Sequence, residues 1–170
     1  MTKGLTVACL AIVAFLALPA VSALACAGEQ AQPGSVSATS YTRAVECLVN
    51  QQRAASGLGA LGHDRRLARA ARRYSAAMVR QGFFDHVSPQ GSTLSQRARS
   101  AGWAGSTLGE TLGWGAGTLA TPAAIVQGWM NSPPHRAILL GRFRKVGLGV
   151  ASGSPVGMAG AATVTADFGG

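Results

Sequence analysis

The chain has 170 residues, 48% of them hydrophobic and 12% charged, and fifteen Lys and Arg against six Asp and Glu give a formal net charge of +9. That length suits one domain with a real core. The charge favours anionic partners, which outside a cell are lipid headgroups, wall polymers and acidic glycans, ahead of nucleic acid.

The first residues carry a charge at Lys3, an apolar run from Leu5 to Leu18, then Pro19 and small residues ending Ala23-Leu24-Ala25. The run is short for a bilayer span and closes in a small-x-small pattern, so residues 1–25 read as a secretory signal peptide cleaved after Ala25. No later segment has the roughly 18 uninterrupted apolar residues of a transmembrane helix. A secreted protein is therefore expected.

Cleavage discards Cys9 and leaves Cys26 and Cys47. In an oxidising compartment the two are expected to form a disulfide tying the new N-terminus to the first helix. The alternative is lipidation, because Ala23-Leu24-Ala25-Cys26 resembles a lipoprotein cleavage site. Lipidation would strand Cys47 as an odd thiol, which favours the disulfide.

Residues 26–41 are small, polar and Gly/Pro-bearing, an extended leader; 42–170 form the domain. A first helix is predicted over 42–56, with Val45, Leu48, Val49 and Gln52 on one side and Gly57 as its stop. After a short connection, Asp64 is a good N-cap for a second helix to Gln81, with Leu67, Ala70, Ala71, Tyr74 and Met78 opposite Arg65, Arg69, Arg72, Arg73 and Arg80. The arginines are read as a solvated face. His63 is a surface residue at the start of that helix.

Loop chemistry follows Gly82, then a short helix over about 93–100. A strand is expected near 108–114 despite its glycines. Thr121-Pro122 opens a helix in the favoured way, a capping side chain then Pro, with Ile125, Val126, Trp129 and Met130 on its apolar face. Ser132-Pro133 repeats the signal and puts His135 in the first turn of another short helix. Two strands end the chain, over about 145–151 and 158–168. The fold class is α+β in layers.

Three side chains stand out. His86 lies in Phe83-Phe84-Asp85-His86-Val87-Ser88-Pro89, suited to hold an imidazole at the rim of a core as a ligand, a proton shuttle or a packing group. His135, at a helix start, is expected to be kept neutral by the helix's partial positive charge. Glu110 is one of two carboxylates after His86, the other being Asp167, and its apolar flank implies a partner. Two imidazoles and a carboxylate match the ligand count of an open zinc site. His-Glu-x-x-His, Gly-x-Ser-x-Gly and phosphate-loop motifs are all missing, and the cysteines read as structural rather than nucleophilic. Trp103, Trp114 and Trp129 read as core rather than stacking platforms, the alternative being that one at a pocket edge faces a sugar or a lipid.

Six motifs occur in order: Cys47-Leu48-Val49-Asn50-Gln51-Gln52-Arg53 with Gly57-Leu58, Phe84-Asp85-His86-Val87-Ser88-Pro89, Gly109-Glu110, Trp129 to Arg136, Val146-Gly147-Leu148-Gly149, and Asp167-Phe168-Gly169. Together they resemble the bacterial branch of the CAP superfamily (cysteine-rich secretory proteins, antigen 5 and pathogenesis-related proteins), the SCP-like extracellular domains. The resemblance runs from about 47 to 169. It implies a three-layer α-β-α sandwich with a central, mostly antiparallel sheet and a cleft where His86, Glu110 and His135 take the family's pocket positions, a site that holds divalent metal in some members. It also implies the Cys26–Cys47 pairing.

Its implied roles are mostly non-catalytic. The expectation is an exported monomer that binds a lipid, glycan or cell-wall component, with a pocket able to hold zinc or another divalent cation. The alternative is a metal-dependent hydrolase acting on wall peptides, glycans or esters. Three departures bear on the pocket: Thr111 follows Gly109-Glu110 where Asn is usual, Pro134 replaces a Gly before the histidine, and Ile138 replaces an Asn. A second pocket glutamate has no counterpart, with Ser132 near its place. Loss of those amides removes donors that would orient the site and strengthen metal binding.

Overall fold

A computed structural model describes Met1 and residues 25–170. The signal-peptide reading lies outside the described residues. Among them, no helix is long and apolar enough to cross a membrane.

The first helix, α1 (Ala38–Ala55), starts four residues before the predicted Thr42 because Ser37 caps it, accepting from the Ser40 amide. Gly57, at φ 71°, follows its end in the left-handed conformation that glycine adopts without steric cost. Ahead of α1, Cys26 is buried and bonded to Cys47, with Cα atoms 5.8 Å apart. Closing a loop across a sequence separation of 21 residues removes about 3 kcal/mol of unfolded-chain entropy.

The connection after α1 contains a strand the sequence did not announce, β1 (Gly62–His63). Two residues are too few to show alternation. Then α2 (Arg65–Gln81) is capped by Asp64, whose Oδ1 accepts from the Arg66 and Leu67 amides. Its buried side is Leu67, Ala70, Ala71, Tyr74, Ser75 and Met78, and Arg65, Arg69, Arg72, Arg73 and Arg80 are exposed, as the periodicity predicts. A capping box of Thr93 and Gln96 opens α3 (Leu94–Ser100). Next come β2 (Leu108–Ala116), a 3₁₀ turn over Gly117–Ala120, α4 (Pro122–Asn131), α5 (Pro133–Leu139), β3 (Lys145–Ser152) and β4 (Ala161–Gly169).

The sheet runs β1-β3-β4-β2, with β1 parallel to β3 and the other two pairings antiparallel. Alternation along β3 and β4 sorts two faces. Val146, Leu148, Val164, Ala166 and Phe168 join Tyr41, Val45 and Val49 of α1, with Ile125, Trp129 and Leu139 of α4 and α5, in the main core. The other face is covered by α2, which sits so close that a Cβ on Gly147 would lie 2.0 Å from the Ala68 amide nitrogen and one on Gly149 2.1 Å from that of Arg72. There the Ser75 hydroxyl donates to Thr165 Oγ1 at 2.8 Å. The molecule is thus an α+β sandwich of three layers, α2 and α3 on one side of a mixed sheet and α1, α4 and α5 on the other. One of the two edge strands, β2, carries Glu110.

Candidate functional site

Glu110 faces the α2 side of the sheet and is buried. Both of its oxygens are taken. Oε1 lies 2.8 Å from His86 Nδ1, and Oε2 accepts from Arg97 Nη2 at 2.5 Å. Arg97, on α3, also donates through Nη1 to the carbonyls of Ser92 at 2.7 Å and His86 at 3.1 Å. Its guanidinium carbon stacks 3.3 Å over the centre of the Tyr74 ring. The Tyr74 hydroxyl donates to the Asp85 carbonyl at 2.6 Å, so the loop bearing His86 is pinned to α2 just before the imidazole. Desolvation pushes that phenol up to about 12.

Directly across the ladder from Glu110 stands Asp167, wholly buried, with no hydrogen-bond partner for either oxygen among the described residues. Burial first, then the neighbouring Glu110 charge, hold its pKa well above the ordinary carboxylate range, against the opposing charge of Arg97. A carboxyl with a raised folded-state pKa supports folding fully below its unfolded pKa of about 3.9, and that support is lost as pH rises through the folded value. Asp167→Asn removes the ionisation. The stability advantage of Asp167→Asn over wild type should therefore be flat below about pH 4 and widen as pH rises. Urea unfolding across that range checks it, and parallel curves would refute the assignment.

The sequence brings two of its three expected groups into contact, His86 and Glu110. His135 comes from the opposite layer, on α5. His86 lies close enough for its charge to act on His135, whose pKa is lowered by burial first and by that charge second. The direction matches the expectation from sequence, but the cause is desolvation rather than the helix start. His86 moves the other way, raised mainly by its bond to Glu110. The two imidazoles are thus biased in opposite directions.

A cavity of about 380 Å³ opens beside β2 and α4, lined by Phe84, Leu112, Trp114, Leu119, Trp129 and His135 among others. Trp129 is buried and donates its indole N–H to the Leu112 carbonyl at 2.8 Å, as a core residue should. Trp114 and Trp103 are only half-buried, and Trp114 faces the cavity. Phe84 and Leu119 leave apolar surface exposed at its rim.

The donor set offers a metal few free ligands. Among the described residues no group of three or more His, Cys, Asp and Glu is arranged to hold an ion. Glu110 is spent on Arg97 and His86, which leaves two imidazoles. The departures from the family pattern are visible here. The Thr111 side chain is buried on the face away from Glu110 with an unpartnered hydroxyl among the described residues, and the Ser132 side chain makes no capping bond to α5.

Sequence reasoning missed Arg97, which organises the site. Its only signal is a basic residue on a short helix beside an acid that needs a partner. His63 behaves as expected, exposed and 2.9 Å from Glu46.

Comparison with known proteins agrees with this architecture. A family model for the cysteine-rich secretory protein (CAP) family matches residues 47–167. The Bacillus subtilis protein YkwD is 38% identical over 124 residues, 72% of this chain and 46% of that protein. An extracellular protein containing an SCP domain from Bacillus anthracis superposes with a TM-score of 0.63 at 26% identity over 80% of this chain and 44% of that one. An outer surface protein of Borrelia burgdorferi shares the fold, with a TM-score of 0.68 at 19% identity over 79% of this chain and 95% of that one. The chain thus spans less than half the length of the two Bacillus proteins. The matched span covers His86, Glu110, His135 and most of the sandwich: this chain belongs to the CAP, or cysteine-rich secretory protein, family.

Proposed function

We propose that this CAP domain acts outside the cell as a non-catalytic binding module, and that its β2-edge cavity takes a lipid, glycan or cell-wall component. The observation that carries the reading is the cavity's chemistry. Its size is that of small-ligand sites, which are mostly apolar with a few convergent polar groups. Aromatic and aliphatic side chains form its walls, and His135 supplies a neutral imidazole to orient a hydroxyl or carbonyl. Glu110, the carboxylate that contacts His86, is spent on that bond and on Arg97.

Trp114 and Trp129 line the cavity and report on it by fluorescence. Gly128 also lines it, and a side chain built there meets nothing within 4 Å. Gly128→Leu therefore fills the space while favouring the helix by up to about 1 kcal/mol. Titration with lipid, oligosaccharide and wall-peptide fragments should change the emission saturably for at least one class, and Gly128→Leu should abolish that change. Equal response of wild type and Gly128→Leu would refute the cavity as the site.

A divalent cation enters this reading through His86 Nε2 and the His135 ring alone, its shell completed by water or ligand. Zinc calorimetry should then show binding that His86→Ala and His135→Ala each remove. The hydrolase reading is favoured by one observation, the opposite bias of the two imidazoles, which is how an acid and a base are paired. Turnover of an ester or wall peptide that His135→Gln abolishes while cavity binding persists would establish it over the binding module.

A further inference from the structure

A second concavity lies between α2 and α3, with Arg97 and Tyr74 in its lining, about 240 Å³ in volume. It shares no lining residue with the β2-edge cavity. Alanines 70, 77 and 101 form smooth walls. Gln81, Gln90 and Ser100 bring amide and hydroxyl groups, and Arg73 brings charge. No Asp or Glu lines it. Arg97 is part of the lining but is already committed to Glu110 and two carbonyls. Arg73 is exposed and has no ion pair among the described residues.

We propose that this α2–α3 pocket is a second binding site, taking a monosaccharide-sized group that carries one acidic function, carboxylate or phosphate, with Arg73 as its charge partner. Four features lead there. The volume is below that of drug-sized ligand cavities, so the occupant is small. Neutral donors and acceptors outnumber charges, which suits a polyol more than a bare ion. One uncommitted guanidinium with no competing acid asks for a single anionic group, and its planar fork matches carboxylate and phosphate alike. The floor is rigid, because Arg97 is held by three hydrogen bonds and its stack on Tyr74. This inference is independent of what the β2-edge cavity binds.

The test is a nitrogen-15 NMR titration of the full chain with glucuronate, glucose 6-phosphate and, as the neutral control, glucose. Saturable shifts confined to residues 70–81 and 88–101, with affinity on the order of millimolar for at least one acidic sugar, are expected. Tighter binding of glucuronate assigns a carboxylate and tighter binding of the phosphate assigns a phosphate. Arg73→Gln should weaken the acidic sugar roughly tenfold, the loss of one charge-assisted hydrogen bond. Ala77→Phe, which fills the pocket from its wall, should abolish binding while the remaining spectrum keeps its dispersion. The proposal is overturned if glucose binds as tightly as the acids, if no shift saturates, or if Arg72→Gln on the same exposed face weakens binding as much as Arg73→Gln. That last result would mean diffuse attraction to the arginine face.

Discussion

Replacing Arg97 with Met is expected to cost about 3–5 kcal/mol of folding stability, because it leaves a buried carboxylate without its partner. The Arg97 and Glu110 side chains are 9% and 3% exposed, so water cannot take over for either. The same change removes the donors to the Ser92 and His86 carbonyls and uncovers the Tyr74 ring. Glu110 would then face Asp167 with only His86 to offset its charge. Met keeps most of the stem's volume, so the loss reports on polar contacts rather than on a cavity. In a double-mutant cycle, Glu110→Gln should restore more than half of what Arg97→Met loses, since the unpaired charge is then gone. Arg97→Lys should fall between, having the charge without the fork or the stack. Urea unfolding measures all five proteins, wild type included. A loss below about 1 kcal/mol for Arg97→Met, the range of exposed ion pairs, would show that the cluster is not what holds this corner together.

Much of the fold is legible in the sequence because its signals are local. The second helix declares itself by apolar residues at helical spacing behind an aspartate cap, and Thr121-Pro122 marks the start of α4 as plainly. What was not legible is long-range. β1 exists only because Gly62 and His63 can pair with Lys145 and Val146. The facing of Glu110 and Asp167 is a consequence of register between β2 and β4, which neither segment encodes alone. Glu110's need for a partner could be read from how few acids the chain has and from its apolar surroundings. The partner could not, because Arg97 sits among other polar residues on a seven-residue helix and reads as surface. For His135 the direction of its shift was legible and the cause was not: burial of the ring comes first, ahead of a short helix start whose N-cap side chain makes no bond.

The family motif at the end of α1 has a structural meaning in its hydrogen bonds, and Arg53→Met tests it. Asn50 clamps the backbone of Leu61 from both sides, donating to its carbonyl at 3.2 Å and accepting from its amide at 2.8 Å. One helical turn on, Arg53 is 4% exposed and spends its guanidinium on four carbonyls. Nε donates to Gly59 at 2.9 Å, Nη1 to Leu139 at 2.8 Å and Gly141 at 2.9 Å, and Nη2 to Phe143 at 3.4 Å. Leu139 ends α5, so this arginine caps that helix from outside and joins it to α1 and to the approach to β3. A methionine there leaves acceptors at a buried helix end without donors, at about 1–3 kcal/mol for each that water cannot reach. A total near 4 kcal/mol is expected, with Arg53→Lys recovering part of it by reaching one or two carbonyls. Hydrogen exchange should show protection falling first over residues 138–146, and His135, four residues before the end of α5, should lose its fixed position beside the cavity. If Arg53→Met unfolds within about 1 kcal/mol of wild type, the four bonds are replaceable by water and the motif needs another explanation.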